Sequence, residues 1–261
     1  MTKIDKNIIM CLTTGRSGTN LLEKLLGLAE DTCSLHEPAP YFSDHVMQVR
    51  ENPDHAIDFV RDEKLPAILA VPENNYAESS HLFGKGFFEA FIKLDIPFKL
   101  IILNRGPRTV AKSFWRIGTI PGRTEKGIIS TYHPDEAGVL KLKNWQKLSN
   151  YQLCYWYALE VERRKAKYAE VCQTHNIPVV ETSISQLKNW EKFKSFTAEL
   201  GLSLPKDASA EHANITAKKV NRKRKYFGKL SFVPLSWQEH QVWKMIDRPD
   251  LAKQIKQRYG K

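Results

Sequence analysis

Long apolar runs are missing from this chain. No stretch of its 261 residues approaches the about eighteen consecutive apolar positions that a membrane span needs, so no transmembrane segment is expected. Cysteine is scarce. Cys11, Cys33, Cys154 and Cys172 show no C-x-x-C spacing and no companion histidine pattern. That excludes a disulfide scaffold and a zinc ribbon, leaves no metal ligands indicated, and fits reduced thiols in a cytoplasmic protein, with Cys11 in the core. Internal repeats and low-complexity linkers are absent, and the opening Met1-Thr2-Lys3-Ile4-Asp5-Lys6 is too polar for a secretory leader. Positive charge, by contrast, is in excess: 40 Lys and Arg against 29 Asp and Glu, a net +11. Such a balance favours an anionic ligand or partner, and is also compatible with membrane-surface contact or a solvated basic face. The length suits one large α/β domain over residues 1–261.

One stretch stands out, Asn7–Ala29, NIIMCLTTGRSGTNLLEKLLGLA. Ile8–Leu12 is a short apolar run bounded by polar residues, the pattern of a buried strand. Thr13-Thr14-Gly15-Arg16-Ser17-Gly18-Thr19-Asn20 follows as a turn with two glycines three positions apart. Leu21, Leu22, Leu25, Leu26 and Leu28 then recur at helical spacing, with Glu23 and Lys24 on the other face. Strand, glycine turn and helix start aim several backbone N–H groups and the positive end of a helix dipole at one place. An anion, above all a phosphate, is the expected occupant. The turn is not a Walker A loop, G-x-x-x-x-G-K-[ST]. Its glycines are too close and no lysine follows Gly18; the cation stands ahead of it as Arg16.

A second stretch, Lys99–Trp115, reads KLIILNRGPRTVAKSFW. Leu100–Leu103 is another buried-strand run, and Arg105-Gly106-Pro107-Arg108 opens a helix with proline in its first turn. Ser113 lies eight positions beyond Arg105. A guanidinium gives phosphate a bidentate contact, and a helix-borne hydroxyl adds a donor. Together the two stretches resemble the sulfotransferases that use 3′-phosphoadenosine 5′-phosphosulfate (PAPS). Gly15-Arg16-Ser17-Gly18-Thr19-Asn20 is similar to their 5′-phosphosulfate loop, P-[KR]-S-G-[TS]-[TS] or R-S-G-[ST]. Arg105 and Ser113 are similar to the ends of R-[DN]-P-R-x-x-x-x-S, which hold the 3′-phosphate; Gly106 departs from the usual Asp or Asn. The resemblance covers Asn7 to roughly Gly201. It implies a three-layer α/β/α fold with a mostly parallel central sheet, P-loop NTPase-like, and transfer of the PAPS sulfuryl group to a hydroxyl acceptor.

The proton acceptor is sought in two places. Asp31–Tyr41, DTCSLHEPAPY, is kept extended by Pro38 and Pro40 and passes back toward the glycine turn. In sulfotransferase branches acting on sugars or tyrosine a Glu in this region is the base, which by resemblance is Glu37; His36 is its competitor. The second place is Pro72–His81, at the end of an expected strand Ala67–Val71, where Glu78 and His81 are base candidates and Tyr76 a contact to the acceptor.

Tyr41–Leu65 reads as two short helices and Lys85–Leu94 as an amphipathic one. A long loop, 116–138, is a candidate lid over the acceptor. Leu140–Thr174 reads as one long helix with an aromatic core stripe, Ile177–Thr182 as a strand, Asn189–Leu200 as a helix ended by Gly201, and Trp237–Ile246 and Pro249–Tyr259 as closing helices. Lys218, Lys219, Arg222, Lys223, Arg224, Lys225 and Lys229 form a basic cluster without an acid between them. By resemblance Arg222 and Lys223 contact the 3′-phosphate. An RNA- or membrane-attracted arm and a solvated loop are the other readings.

These expectations make the chain a PAPS-dependent sulfotransferase acting on a glycan or small molecule without a metal, with nucleic acid not the expected partner. Arg16 would neutralise the bridging oxygen, and Glu37, or else Glu78 or His81, would take the proton. A nucleotide kinase needs a Walker lysine and magnesium ligands that the sequence does not show. A non-catalytic nucleic-acid-binding protein would account for the charge but leave both motifs as coincidence.

Overall fold

The computed structural model describes residues 4–218, 233–246 and 248–259. In chain order the elements are β1 (Asn7–Leu12), α1 (Thr19–Leu26), β2 (Thr32–Leu35), α2 (Phe42–Glu51), α3 (His55–Phe59), a π-helical turn (Val60–Lys64), α4 (Leu65–Ala70), β3 (Asn75–Glu78), α5 (Phe87–Lys93) and β4 (Lys99–Asn104). There follow α6 (Pro107–Arg116), α7 (Glu125–Ser130), a 3-10 turn (Trp145–Lys147), α8 (Asn150–Thr174), β5 (Val179–Ser183), α9 (Ile184–Leu187), α10 (Trp190–Glu199), α11 (Ala208–Ala217), α12 (Leu235–Ile246) and α13 (Pro249–Tyr259). They group into two compact units, Met1–Asn104 with Tyr168–Arg222 and Arg105–Lys167 with Lys223–Lys261.

The first unit holds a five-stranded sheet in the order β2-β3-β1-β4-β5, every pairing parallel. Strands buried on both faces read as unbroken apolar runs, as β1 and β4 do. Ile8, Met10, Leu12, Leu100 and Ile102 face one layer, built by α2 to α5 and by Tyr168 and Cys172 of α8. Ile9, Cys11, Ile101 and Leu103 face the other, where α1, α9 and α10 supply Leu22, Leu25, Leu187, Phe193 and Phe196. This is the expected α/β/α arrangement. On the first face Phe83, Phe88, Phe91 and Phe98 pack edge to face with centroids 5.2 to 5.9 Å apart, a favoured aromatic geometry.

The second unit packs α6 and α8 with α12 and α13 around Val110, Phe114, Trp156, Tyr157, Val242 and Leu251. Bidentate pairing of Arg108 with Glu239, which also accepts from the Tyr151 hydroxyl at 2.5 Å, ties α12 to α6 and α8. Among the described residues no helix is long and apolar enough to cross a membrane.

Several expected elements differ. Ala67–Val71 is not a strand: Ala67 to Ala70 lie in α4, whose first turn takes Pro66, and Val71 is its C-cap. The strand is instead the polar β3, Asn-Tyr-Ala-Glu, which gains its conformation by pairing on both sides with β1 and β2. The helix expected from Leu140 begins at Asn150, the 116–138 loop contains α7, and α11 was not anticipated.

Candidate active site

β1 is central in the sheet, and its carboxyl end feeds the glycine turn. Thr13 Oγ1 donates to the Leu103 carbonyl of β4 at 2.9 Å, and the Thr14 and Ser17 hydroxyls lie 2.6 Å apart; all three side chains are buried. Arg16 and Gly18 take positive φ, 69° and 104°. A left-handed residue between right-handed ones turns successive amides to one side, an anion-binding concavity. Gly18 is required twice over: its φ suits glycine, and a Cβ there would lie 2.5 Å from Ile184 Cγ1. Gly18 also stands at the N-cap of α1 with no side chain to cap it, so the first amides of the helix are left for another acceptor. Gly15 is buried and Arg16 half-buried in the same turn.

The first base segment returns to this turn. His36 Nε2 lies 2.7 Å from Thr19 Oγ1 and 3.1 Å from Asn20 Nδ2, so the imidazole is seated on the first turn of α1. The next residue, Glu37, has a φ of 49°, and its Oε1 lies 2.5 Å from Nδ1 of His81. Two residues read as rivals are therefore partners. Burial pushes the Glu37 carboxyl up, but hydrogen bonds from His81 and the charges of His81 and His36 outweigh it and hold the group below the usual glutamate range. Both side chains keep some exposure, 33% for Glu37 and 17% for His81, which leaves them accessible to a bound molecule.

Glu78 has other partners. Its side chain is wholly buried, with Oε2 2.8 Å from Lys64 Nζ and accepting from the Tyr76 hydroxyl at 2.6 Å. Burial pushes its carboxyl above the usual range, against the pull of Lys64 and Tyr76, and pushes the Tyr76 phenol far up beside it. Tyr76, read as an acceptor contact, is thus a buried partner of Glu78. Lys64 was not anticipated: it sits in the run Arg61-Asp62-Glu63-Lys64, which looks like a solvated helix face. Its one sequence signal is that Val60, Lys64 and Ile68, all buried, share an i, i+4, i+8 stripe.

In the second unit Gly106 caps α6, Pro107 opens it, Arg105 is half-buried just ahead, and Ser113 is buried further along. Arg108, the other arginine of that motif, is committed to Glu239. Arg222 and Lys223 lie outside the described residues.

No protein-family model and no curated protein matches the sequence. Solved structures do. The chain is similar to the sulfotransferase domain from the curacin biosynthetic pathway, with 12% identity and a TM-score of 0.54 over 93% of this chain and 98% of that one. It is also similar to the sulfotransferase domain from the Synechococcus PCC 7002 olefin synthase, with 13% identity and a TM-score of 0.53 over 95% and 97%. At these identities the likeness is one of fold.

Proposed function

We propose that the chain transfers the sulfuryl group of PAPS to a hydroxyl acceptor, a glycan or a small molecule. The observation that carries this reading is the Glu37–His81 pair, set one residue beyond the imidazole that sits on the glycine turn. It joins a proton-accepting pair to an anion-binding turn, which is what transfer to a hydroxyl needs. The likeness in fold to two sulfotransferase domains and the two sequence motifs support it independently.

The glycine turn suits the phosphosulfate end of the nucleotide. The positive φ of Arg16 and Gly18 and the uncapped start of α1 suit a 5′-phosphosulfate, held by the amides of Arg16 to Asn20 within the Gly15–Asn20 turn. Arg105 and Ser113 would take the 3′-phosphate, with Arg222 and Lys223 as further contacts by resemblance. PAPS, when bound, supplies the sulfuryl group and a phosphate leaving group. Arg16 would help to hold the phosphosulfate, its guanidinium supplying positive charge for the leaving phosphate. His81 presents Nε2 to the acceptor hydroxyl and takes its proton, while Nδ1–H donates to Glu37. The Glu37 carboxylate stays ionised at neutral pH, fixes the imidazole tautomer and stabilises the imidazolium that forms. Glu78, buried and already paired, has no part in the proton transfer.

Calorimetric titration with 3′-phosphoadenosine 5′-phosphate (PAP), run beside ATP with magnesium, tests the reading. Binding of PAP alone is expected and justifies screening acceptors. Preference for ATP would point to the kinase, and binding of neither would sink the nucleotide assignment.

A further inference from the structure

We propose that Lys64, braced by Glu78, is the positioning residue that aims the Glu37–His81 pair. The inference rests on the sulfuryl-transfer reading above and assigns a role to two residues that take no part in its chemistry.

Lys64 ends the π-helical turn Val60–Lys64, a rare conformation often found beside functional sites. Its ammonium has three N–H donors and meets three oxygens: Glu78 Oε2 at 2.8 Å, the Pro40 carbonyl at 3.0 Å and the Pro38 carbonyl at 3.2 Å. It also stands 4.5 Å from the centroid of the Phe42 ring. An apolar residue would complete the stripe of Val60 and Ile68, and burying an ammonium costs several kcal/mol unless it is fully paired. Hydrophobic packing therefore gives no reason for a lysine here.

The geometry of the loop gives one. Glu37 has a left-handed φ of 49°, and its flanks are held from opposite sides. Ahead of it His36 is seated on Thr19 and Asn20. Behind it Lys64 grips the two proline carbonyls. The other member of the pair is tied to the same ammonium, because Glu78 ends β3 and His81 follows three residues later. In between, Ser79 donates through its amide to the Leu35 carbonyl at 2.9 Å and through its hydroxyl to the Thr19 carbonyl at 3.2 Å. One cation thus fixes both strand ends that carry the pair. The second carboxyl oxygen of Glu78 is buried without a partner, so Glu78 is committed to Lys64 and Tyr76 through a single oxygen.

The test is the double variant Lys64→Met with Glu78→Gln. It removes both buried charges together, a change folds often tolerate, and it leaves the proline carbonyls without their donor. Three readouts are taken: titration of the Glu37 carboxyl by carbon NMR, steady-state kinetics with PAPS, and PAP binding by calorimetry. The Glu37 titration is expected to move up toward the usual glutamate value as its contact with His81 loosens. With it kcat falls about 100-fold, the scale for misplaced catalytic groups, while PAP affinity is kept. A folded double variant with unchanged Glu37 titration and unchanged kcat overturns the proposal. Should the double variant not fold, Lys64→Gln, neutral and close in length, is read by the same criteria. The two readings fail separately. A wild-type chain that neither binds PAP nor transfers sulfuryl groups removes the function, whereas the Glu37 titration still decides the positioning role.

Discussion

Glu37 carries a side chain at a φ usually left to glycine, and it does so 44 positions from the histidine it contacts. The sequence offered Glu37 by resemblance, with His36 as its competitor, in an extended segment passing back toward the glycine turn, and Glu78 and His81 as proton-bearing groups beyond an expected strand. What it could not offer is that β2 and β3 are neighbours, which brings 37 to 81 and turns 78 inward. If the pair works as assigned, Glu37→Gln keeps PAP binding and lowers kcat by about 10²- to 10⁴-fold, the usual share of a general base and its orientation. Single-turnover kinetics beside calorimetry separates the two. The same carboxyl leaves a mark on stability. Its folded titration lies below the ordinary 4.5, so its stabilisation is complete above that value and is lost as pH falls through the lower, folded one. Urea midpoints measured from neutral pH down should therefore drop less steeply on the acid side for Glu37→Gln than for the wild-type chain. Equal acid limbs would mean that His81 does not hold the carboxylate in solution.

Elements were legible where burial on both faces writes an unbroken apolar run, as in β1 and β4, and where helices follow glycine or proline. β3 was not, since Asn75-Tyr76-Ala77-Glu78 has no period of its own and owes its conformation to two neighbouring strands. The apolar run Ala67–Val71 misled for the reverse reason: short apolar runs suit a strand or a buried helix turn equally. The strand, glycine turn and helix from Asn7 to Leu26 were legible, because Gly18 answers to local geometry. Gly127 shows how far such geometry can be hidden. It looked like one more glycine of a long loop, but it lies in α7 with its amide donating to Thr124 Oγ1 at 3.2 Å. A Cβ at this position would fall 1.9 Å from the Ile120 carbonyl oxygen and 2.4 Å from its carbon, so backbone would have to move. Gly127→Ala should destabilise by about 3 kcal/mol, the upper end of overpacking costs, as read by urea unfolding. Gly138→Ala is a fair control for the added methyl: it meets nothing within 4 Å and carries only the strain of its φ of 74°.

Among the explanations that the excess of positive charge admits for the molecule as a whole, two concern an anionic ligand, a nucleotide with several phosphates and a polyanion such as RNA. They diverge at Arg105. A ligand that binds only the folded state raises stability by RT ln(1 + [L]/Kd), about 2.7 kcal/mol at a hundredfold excess over Kd. PAP at that concentration should therefore shift thermal unfolding of the wild-type chain upward by that amount. Arg105→Ala removes a hydrogen bond to a charged group, worth about 1.5–3 kcal/mol, and so weakens PAP about 10- to 100-fold. At the same PAP concentration the increment then shrinks to about 1.4 kcal/mol for a tenfold loss and about 0.4 kcal/mol for a hundredfold one. Because each increment is the difference with and without PAP in the same chain, any change Arg105→Ala makes to intrinsic stability cancels. An undiminished increment would remove Arg105 from the 3′-phosphate site. No increment in either chain, joined to salt-dependent RNA binding that Arg105→Ala leaves intact, would move the explanation of the charge from a nucleotide to a polyanion.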